Sequence, residues 1–174
     1  MSNQQFIHIP SSDFPSDILK WMKINANPKM LFTLMKCCKY FQDFPEFPYF
    51  VVKEVQYGFK RDNWLFQTLD GKVYFYEGTQ GIENIGKKLW ITEILVLSAF
   101  PKIVSCIIPK IAVCDIKSLS LQFQNLAFNE FKYLTASGNV IDIFLRESTI
   151  KYENDEQVFI DLIFKCVPNV ETFK

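Results

Sequence analysis

The sequence is poor in the residues on which most catalysis depends. Its single histidine, His8, lies near the N-terminus, so a histidine dyad or triad would have to be built on a terminal tail. Five cysteines stand at 37, 38, 106, 114 and 166, an odd number with no C-x-x-C among them. That excludes a recognisable zinc site and the disulfide framework of a small secreted domain. Neither G-x-x-x-x-G-K-[ST] nor G-x-G-x-x-G occurs, because Gly78, Gly81 and Gly86 are separated by polar loop residues. With 19 basic and 19 acidic side chains the net charge is zero, which gives no bulk attraction to nucleic acid or to a membrane surface. No N-terminal apolar segment and no run of 18 apolar residues is present, so neither a signal peptide nor a membrane span is expected. These absences predict an intracellular protein of cytoplasm or nucleus, not an enzyme, with no metal and no cofactor.

What the chain does have is apolar side chain. Hydrophobic residues make up 49% of its 174 positions, 18 of them Phe. That is ample for one domain, or for a small module joined to a second compact one. Only 6 glycines and no low-complexity tract argue against long disorder. Cys106, Cys114 and Cys166 sit among Ile and Val and read as free, buried thiols. Trp64, Tyr74 and Tyr76 lack accompanying basic residues, so they read as cross-strand pairs rather than a surface for stacking bases.

Residues 1–13 form a tail, and the most informative stretch follows it. Residues 14–44 contain two short amphipathic helices, expected over 15–24 and 28–38, each opened by a proline at the position where its missing N–H costs nothing. Asn27 is placed to cap the second helix, and Asp17 complements the positive end of the first. Ile18, Leu19 and Met22 form one apolar stripe; Leu31, Leu34, Met35 and Cys38 form another. Five lysines (20, 23, 29, 36 and 39) against Asp17 and Asp43 make the stretch locally basic. An acidic partner would suit that, although a solvated helix face accounts for the lysines equally well.

Phe14-Pro15, Asp17, Asn27-Pro28-Lys29, Leu31, Leu34, Cys38-Lys39 and Phe41 fall without a gap on a known pattern. The segment resembles an F-box. In that family a Leu-Pro and an acidic residue open one apolar helix, an Asp-Pro-Lys-like turn follows, and a second helix ends in Cys-Lys-x-aromatic. Phe14, Asn27 and Phe41 replace the usual leucine, aspartate and tryptophan. The resemblance implies a substrate receptor of an SCF-type (Skp, cullin, F-box) ubiquitin ligase. A Skp-type adaptor, and through it a cullin-RING ligase, would dock on Phe14, Pro15, Ile18, Leu19, Leu31, Leu34, Cys38 and Phe41. The C-terminal domain would then capture a target protein. The alternative is a non-catalytic interaction domain with a helical N-terminal cap and no ligase coupling.

Beyond residue 44 the pattern changes. Residues 45–88 read as a connecting segment, rich first in proline and aromatics and then in strand formers. Asp70-Gly71 predicts a type I′ hairpin between strands at 64–69 and 72–76. Residues 89–174 carry a weak repeat of apolar-x-x-apolar-x-apolar, beginning at Ile91, Ile116, Val140 and, incompletely, Val170, at intervals of 25, 24 and 30 residues. Each of the first three cores is followed by a helix-like segment, the third with Asn154 placed as its cap. This half resembles the irregular leucine-rich repeats that often follow an F-box, whose units run roughly 20–29 residues. The repeat asparagine is absent; its places hold Ala99, Gln124 and Ser148. The expected fold class is therefore mixed, α+β or α/β. It comprises a small F-box-like helical module, a β-hairpin region and short strand–helix repeat-like units that read as a truncated or a degenerate short array, with 116–121 and 140–145 as neighbouring parallel strands.

Overall fold

The computed structural model describes residues 15–37, 41, 49–58 and 62–174. They belong to two compact units, residues 1–47 and 48–174.

The first unit contains α1 (Ser16–Asn25) and α2 (Pro28–Cys37), each within about a residue of its expected span. Pro15 sits one position earlier than expected, in extended backbone at φ −54 and ψ 146, and its carbonyl accepts the first helical bond from Leu19 at 3.2 Å. Asn27 caps α2 as its sequence position suggests: Met30 N–H donates to its Oδ1 at 2.9 Å. Leu19, Leu31, Met35 and Phe41 are buried.

The second unit is a mixed α/β fold built on one large sheet. β1 (Tyr49–Tyr57), β2 (Asn63–Thr68) and β3 (Val73–Glu77) form an antiparallel meander. A short helical turn, Thr79–Asn84, leads to β4 (Lys88–Leu97), which runs parallel to β1. There follow α3 (Ile103–Ile107), β5 (Ile111–Cys114), β6 (Ser118–Gln122), β7 (Asn125–Ala127) and α4 (Phe128–Thr135). The chain ends with β8 (Asp142–Arg146), β9 (Thr149–Lys151), α5 (Ile160–Cys166) and β10 (Thr172–Phe173). The sheet order is β10-β8-β6-β4-β1-β2-β3, with β5 beside the first half of β4, while β7 and β9 pair separately. β1 thus bonds to β2 on one side and β4 on the other, so the segment expected to connect two modules shares one sheet with the repeat-like half.

β2 and β3 pair as expected, but not through a two-residue turn. Gly71 N–H bonds to Thr68 O at 3.0 Å and Thr68 N–H to Lys72 O at 2.9 Å, while Gly71 alone takes positive φ, at 85°. This is a three-residue loop with glycine in the left-handed bulge position. Asp70 serves the turn through its side chain, accepting from Thr68 Oγ1 and pairing with Lys72 Nζ at 2.8 Å.

β4, β6 and β8 keep a 24-residue period, and β10 follows β8 at an interval of 30. Ile94 registers with Ser118 and Ser118 with Asp142; Leu95, Leu119 and Ile143 form one inward row, and Leu97, Leu121 and Leu145 the next. The first unit consequently begins at Thr92, the counterpart of buried Ile116 and Val140, and not at Ile91. Thr92 is itself buried, and its hydroxyl donates to Val52 O at 3.2 Å. A bulge between Val52 and Glu54 of β1 and the facing β4 residues accompanies this shift of register. Leu95, Leu97, Leu119, Leu121 and Ile143 pack in one core with Ile103, Val104 and Ile107 of α3, Phe131 and Leu134 of α4, and Ile163 of α5. One sheet face is therefore covered by helices; the other is partly open, with Val51 and Trp90 buried at the start of β1 and β4 and half-buried or exposed side chains beyond them.

Past each inner strand the backbone turns at the same place. Ala99, Phe123 and Glu147, each two residues after the last inward leucine and 24 apart, hold positive φ of 78°, 58° and 48°. The positions following them replace the missing asparagine. Gln124 is buried and donates from Nε2 to Phe100 O at 2.7 Å, one unit back. Its own N–H donates to Ser148 Oγ, one unit on, at 3.0 Å. Side chains continue the ladder, with Thr149 Oγ1 donating to Asn125 Oδ1 at 2.8 Å and Asn139 Nδ2 to Asp115 Oδ1. Of the three helices in the parallel half, the last departs from its expected start. Residues 152–156 form a turn that returns Val158 N–H to Ile150 O, so α5 starts at Ile160 with Phe159, not Asn154, before it.

Candidate protein-interaction surfaces

The sequence-predicted docking residues divide sharply. Phe14 and Cys38 lie outside the described residues. Pro15 and Ile18 are exposed, the latter by 42%, whereas Leu19, Leu31 and Phe41 are buried and Leu34 is half-buried. The buried members belong to the core of the fold; an external partner could reach Pro15 and Ile18. The most exposed large apolar groups of these helices lie outside the candidate set: Trp21 at 65%, Ile24 at 81% and Met30. A signal for them existed: Trp21 and Ile24 are bulky apolar residues lying off the buried stripe, and Trp21 is one helical turn from Ile18. Asn25 Nδ2 donates to Trp21 O at 2.9 Å, satisfying one of the terminal carbonyls of α1.

In the second unit the open sheet face presents two rows at right angles to the strands. One runs Phe144, Ser120, Val96, Gln56, Leu65, Phe75 from β8 to β3; the other runs Asp142, Ser118, Ile94, Glu54, Gln67, Val73. Strand spacing makes each row about 24 Å long. Phe75 and Val73 are exposed and the rest half-buried. The side chains of Ser118 and Ser120 on β6 are small, next to the β8 end, and the first row ends in Phe144 and Phe75. Acidic Asp142 and Glu54 lie on it, with Lys53 and Glu93 paired across strands at 3.7 Å. Such a surface has shape and apolar area for a protein, and nothing in it converges on a reacting atom.

Cys114 is buried, and burial pushes its thiol up to about 12, far from the thiolate a nucleophile needs. Cys166 is half-buried with its thiol raised by burial, and Cys106 is exposed, so the expectation of three mostly buried thiols fits Cys114 best. Cys106 occupies the solvent side of α3, whose Ile103, Val104 and Ile107 take the core side. Among the described residues no group of His, Cys, Asp and Glu is placed to hold a metal, and no helix is long and apolar enough to cross a membrane. A cleft of about 540 Å³ beside α4 is lined by Phe128, Asn129, Tyr152, Glu153, Asn154 and Glu156. Within it Asn129 Nδ2 donates to Glu153 Oε1 at 3.2 Å. No protein family, curated protein or solved structure matches this chain.

Proposed function

We propose that this chain is a non-catalytic receptor of an SCF-type ubiquitin ligase. Residues 14–44 dock as an F-box on a Skp-type adaptor, and the open face of the 48–174 sheet takes a target protein. The observation that carries the first half is the solvent-facing apolar surface of two ten-residue helices. Pro15, Ile18, Trp21, Ile24 and Met30 all stand exposed where water would be expected to meet polar side chains. Helices of this length are marginal alone, and a partner that covers these groups stabilises them. The 24-residue register, with its inward leucines and side-chain ladder, supports reading the second unit as leucine-rich-repeat-like, within the 20–29 residues usual for such units. The protein's contribution is then positional: tethering raises the local concentration of the target beside the transfer machinery.

Recovery of the chain on an immobilised Skp-type adaptor tests the reading, comparing wild type with a Pro15→Ala, Ile18→Ala, Trp21→Ala variant whose fold is checked by circular dichroism. Truncating interface anchors costs about 2 kcal/mol or more, roughly a thirtyfold loss of affinity. Equal recovery of both proteins, or none of the wild type, overturns it. The burial of Leu19, Leu31 and Phe41 favours a second reading, in which the helices only stabilise an interaction domain and no ligase is engaged. Absence of adaptor binding by a folded wild-type chain selects that one.

A further inference from the structure

We propose that the β10 end of the parallel stack is a self-docking surface that joins two copies of this chain about a two-fold axis. Phe173 stands in register with Ile143, the next residue along an inward row, yet Phe173 is 36% exposed where Ile143 is 1% exposed. Its ring meets that of Phe164 on α5, centroids 5.0 Å apart. Ile160, one helical turn before Phe164, is also exposed, and Phe159 beside it is 75% exposed. Together these four side chains offer on the order of 400 Å² of apolar surface, scaled from the area aromatic side chains bury. That is the size of the largest patch on an ordinary monomer and about half of what each partner contributes to a standard interface.

The charges beside the patch identify the occupant. Asp161 and Lys165 lie one turn apart on the same exposed face of α5, next to Ile160 and Phe164, and neither forms an ion pair among the described residues. Setting α5 antiparallel to a second α5 about an axis near Leu162–Ile163 places Ile160 over Phe164 of the other copy and Asp161 over its Lys165. The two-fold then repeats both contacts, which is the self-complementarity an isologous interface requires. Like charges would meet in a parallel arrangement. The modest area makes the dimer weak and concentration-dependent.

Sedimentation velocity on the full chain, from about 5 to about 500 µM, reads the result directly. The mass is expected to rise from 20.4 kDa toward twice that value with concentration. Asp161→Lys and Lys165→Asp each place like charges opposite one another and are expected to weaken association at least tenfold. Mixing the two variants restores it, because every contact in the mixed pair is again of opposite sign. Phe75→Lys, on the distant sheet edge, leaves the dimer intact. Circular dichroism confirms that each variant keeps its fold, which both exposed positions permit. A chain that stays monomeric throughout, a dimer indifferent to either reversal, a mixture that fails to recombine, or a dimer abolished by Phe75→Lys overturns the proposal.

Discussion

Gln124 shows how much one side chain can hold when it replaces a repeat asparagine. Its amide donates to Phe100 O and Gln122 O, so it fixes the turn of its own unit and the backbone of the unit before. Replacing it by Leu removes this donor from two part-buried carbonyls, and the loss is expected to be about 1–3 kcal/mol, measured by urea unfolding. A change within error would mean that the amide carries no ladder. Glu147 sits at φ 48° and half of the neighbouring turn logic depends on it, yet its side chain is exposed. Glu147→Gly is expected to raise stability by a few tenths to about 1 kcal/mol, because glycine accepts the left-handed region that other residues resist. Cys114 provides a pH prediction with a definite sign. Between about 8.5, where an unfolded thiol ionises, and about 12, the folded state keeps a proton that the unfolded state has lost. This thiol therefore makes stability fall as pH rises across that window. Alkylation at pH 8, read by mass spectrometry, is expected to label Cys106 quickly and Cys114 only on unfolding; equal rates would contradict its burial.

Gly58 governs the junction between β1 and β4. A Cβ there would lie 2.8 Å from Ser98 O and Oγ and 2.9 Å from Ala99 Cβ, at a φ of 81°. Gly71 has a similar φ of 85° but open space around it. Gly71→Ala is thus expected to cost about 1–2 kcal/mol from backbone strain alone, and Gly58→Ala clearly more, because strain and clash add. Thermal melts of the two variants separate these terms, and a smaller effect at Gly58 would refute the close approach. The contrast also shows why elements differ in legibility. The two helices, the hairpin and the neighbouring parallel strands at 118–122 and 142–146 were readable because their apolar spacing is local and strong. The first repeat was misplaced by one residue because Thr92, a polar side chain satisfied by Val52 O, fills an inward position that apolar counting passes over. The turn at 68–71 was misjudged because Asp-Gly fits both a two-residue turn and a bulged three-residue loop; Thr68 decides it by taking Lys72 O and Asp70 as partners. Of the candidate docking set, Pro15 and Ile18 are exposed while Leu19, Leu31 and Phe41 are buried, because an apolar stripe at helical spacing marks the buried side of a helix. Trp21 and Ile24 lie off that stripe and stand outside the set.

At the scale of the second unit, parallel neighbours joined by a 24-residue step make stability a near-neighbour property. β4, pairing β1 along nearly its whole length while β5 and β6 share its other edge, is bonded on both sides. β8 has β6 on one side and only the two residues of β10 on the other. In a stack where each unit contacts only its neighbours, free energy is approximately a sum of unit and interface terms, and damage need not spread. Ile143 is the place to test this, because it is buried in the core yet lies in the last complete unit. Ile143→Ala removes buried methyl and methylene groups and is expected to cost about 2–5 kcal/mol. Hydrogen exchange should then accelerate in β8, β9, α5 and β10, while amides of β1, β2 and β4 retain nearly wild-type protection. The mirror experiment uses Val55→Ala in β1, whose side chain is equally buried. Because β1 joins the hairpin to the parallel strands, that change is expected to speed exchange through β1, β2 and β4 and to release the whole sheet. Uniform acceleration of every amide by Ile143→Ala would instead mean that residues 48–174 unfold as one cooperative body. The period of 24 would then describe how the sheet is built without describing how it comes apart.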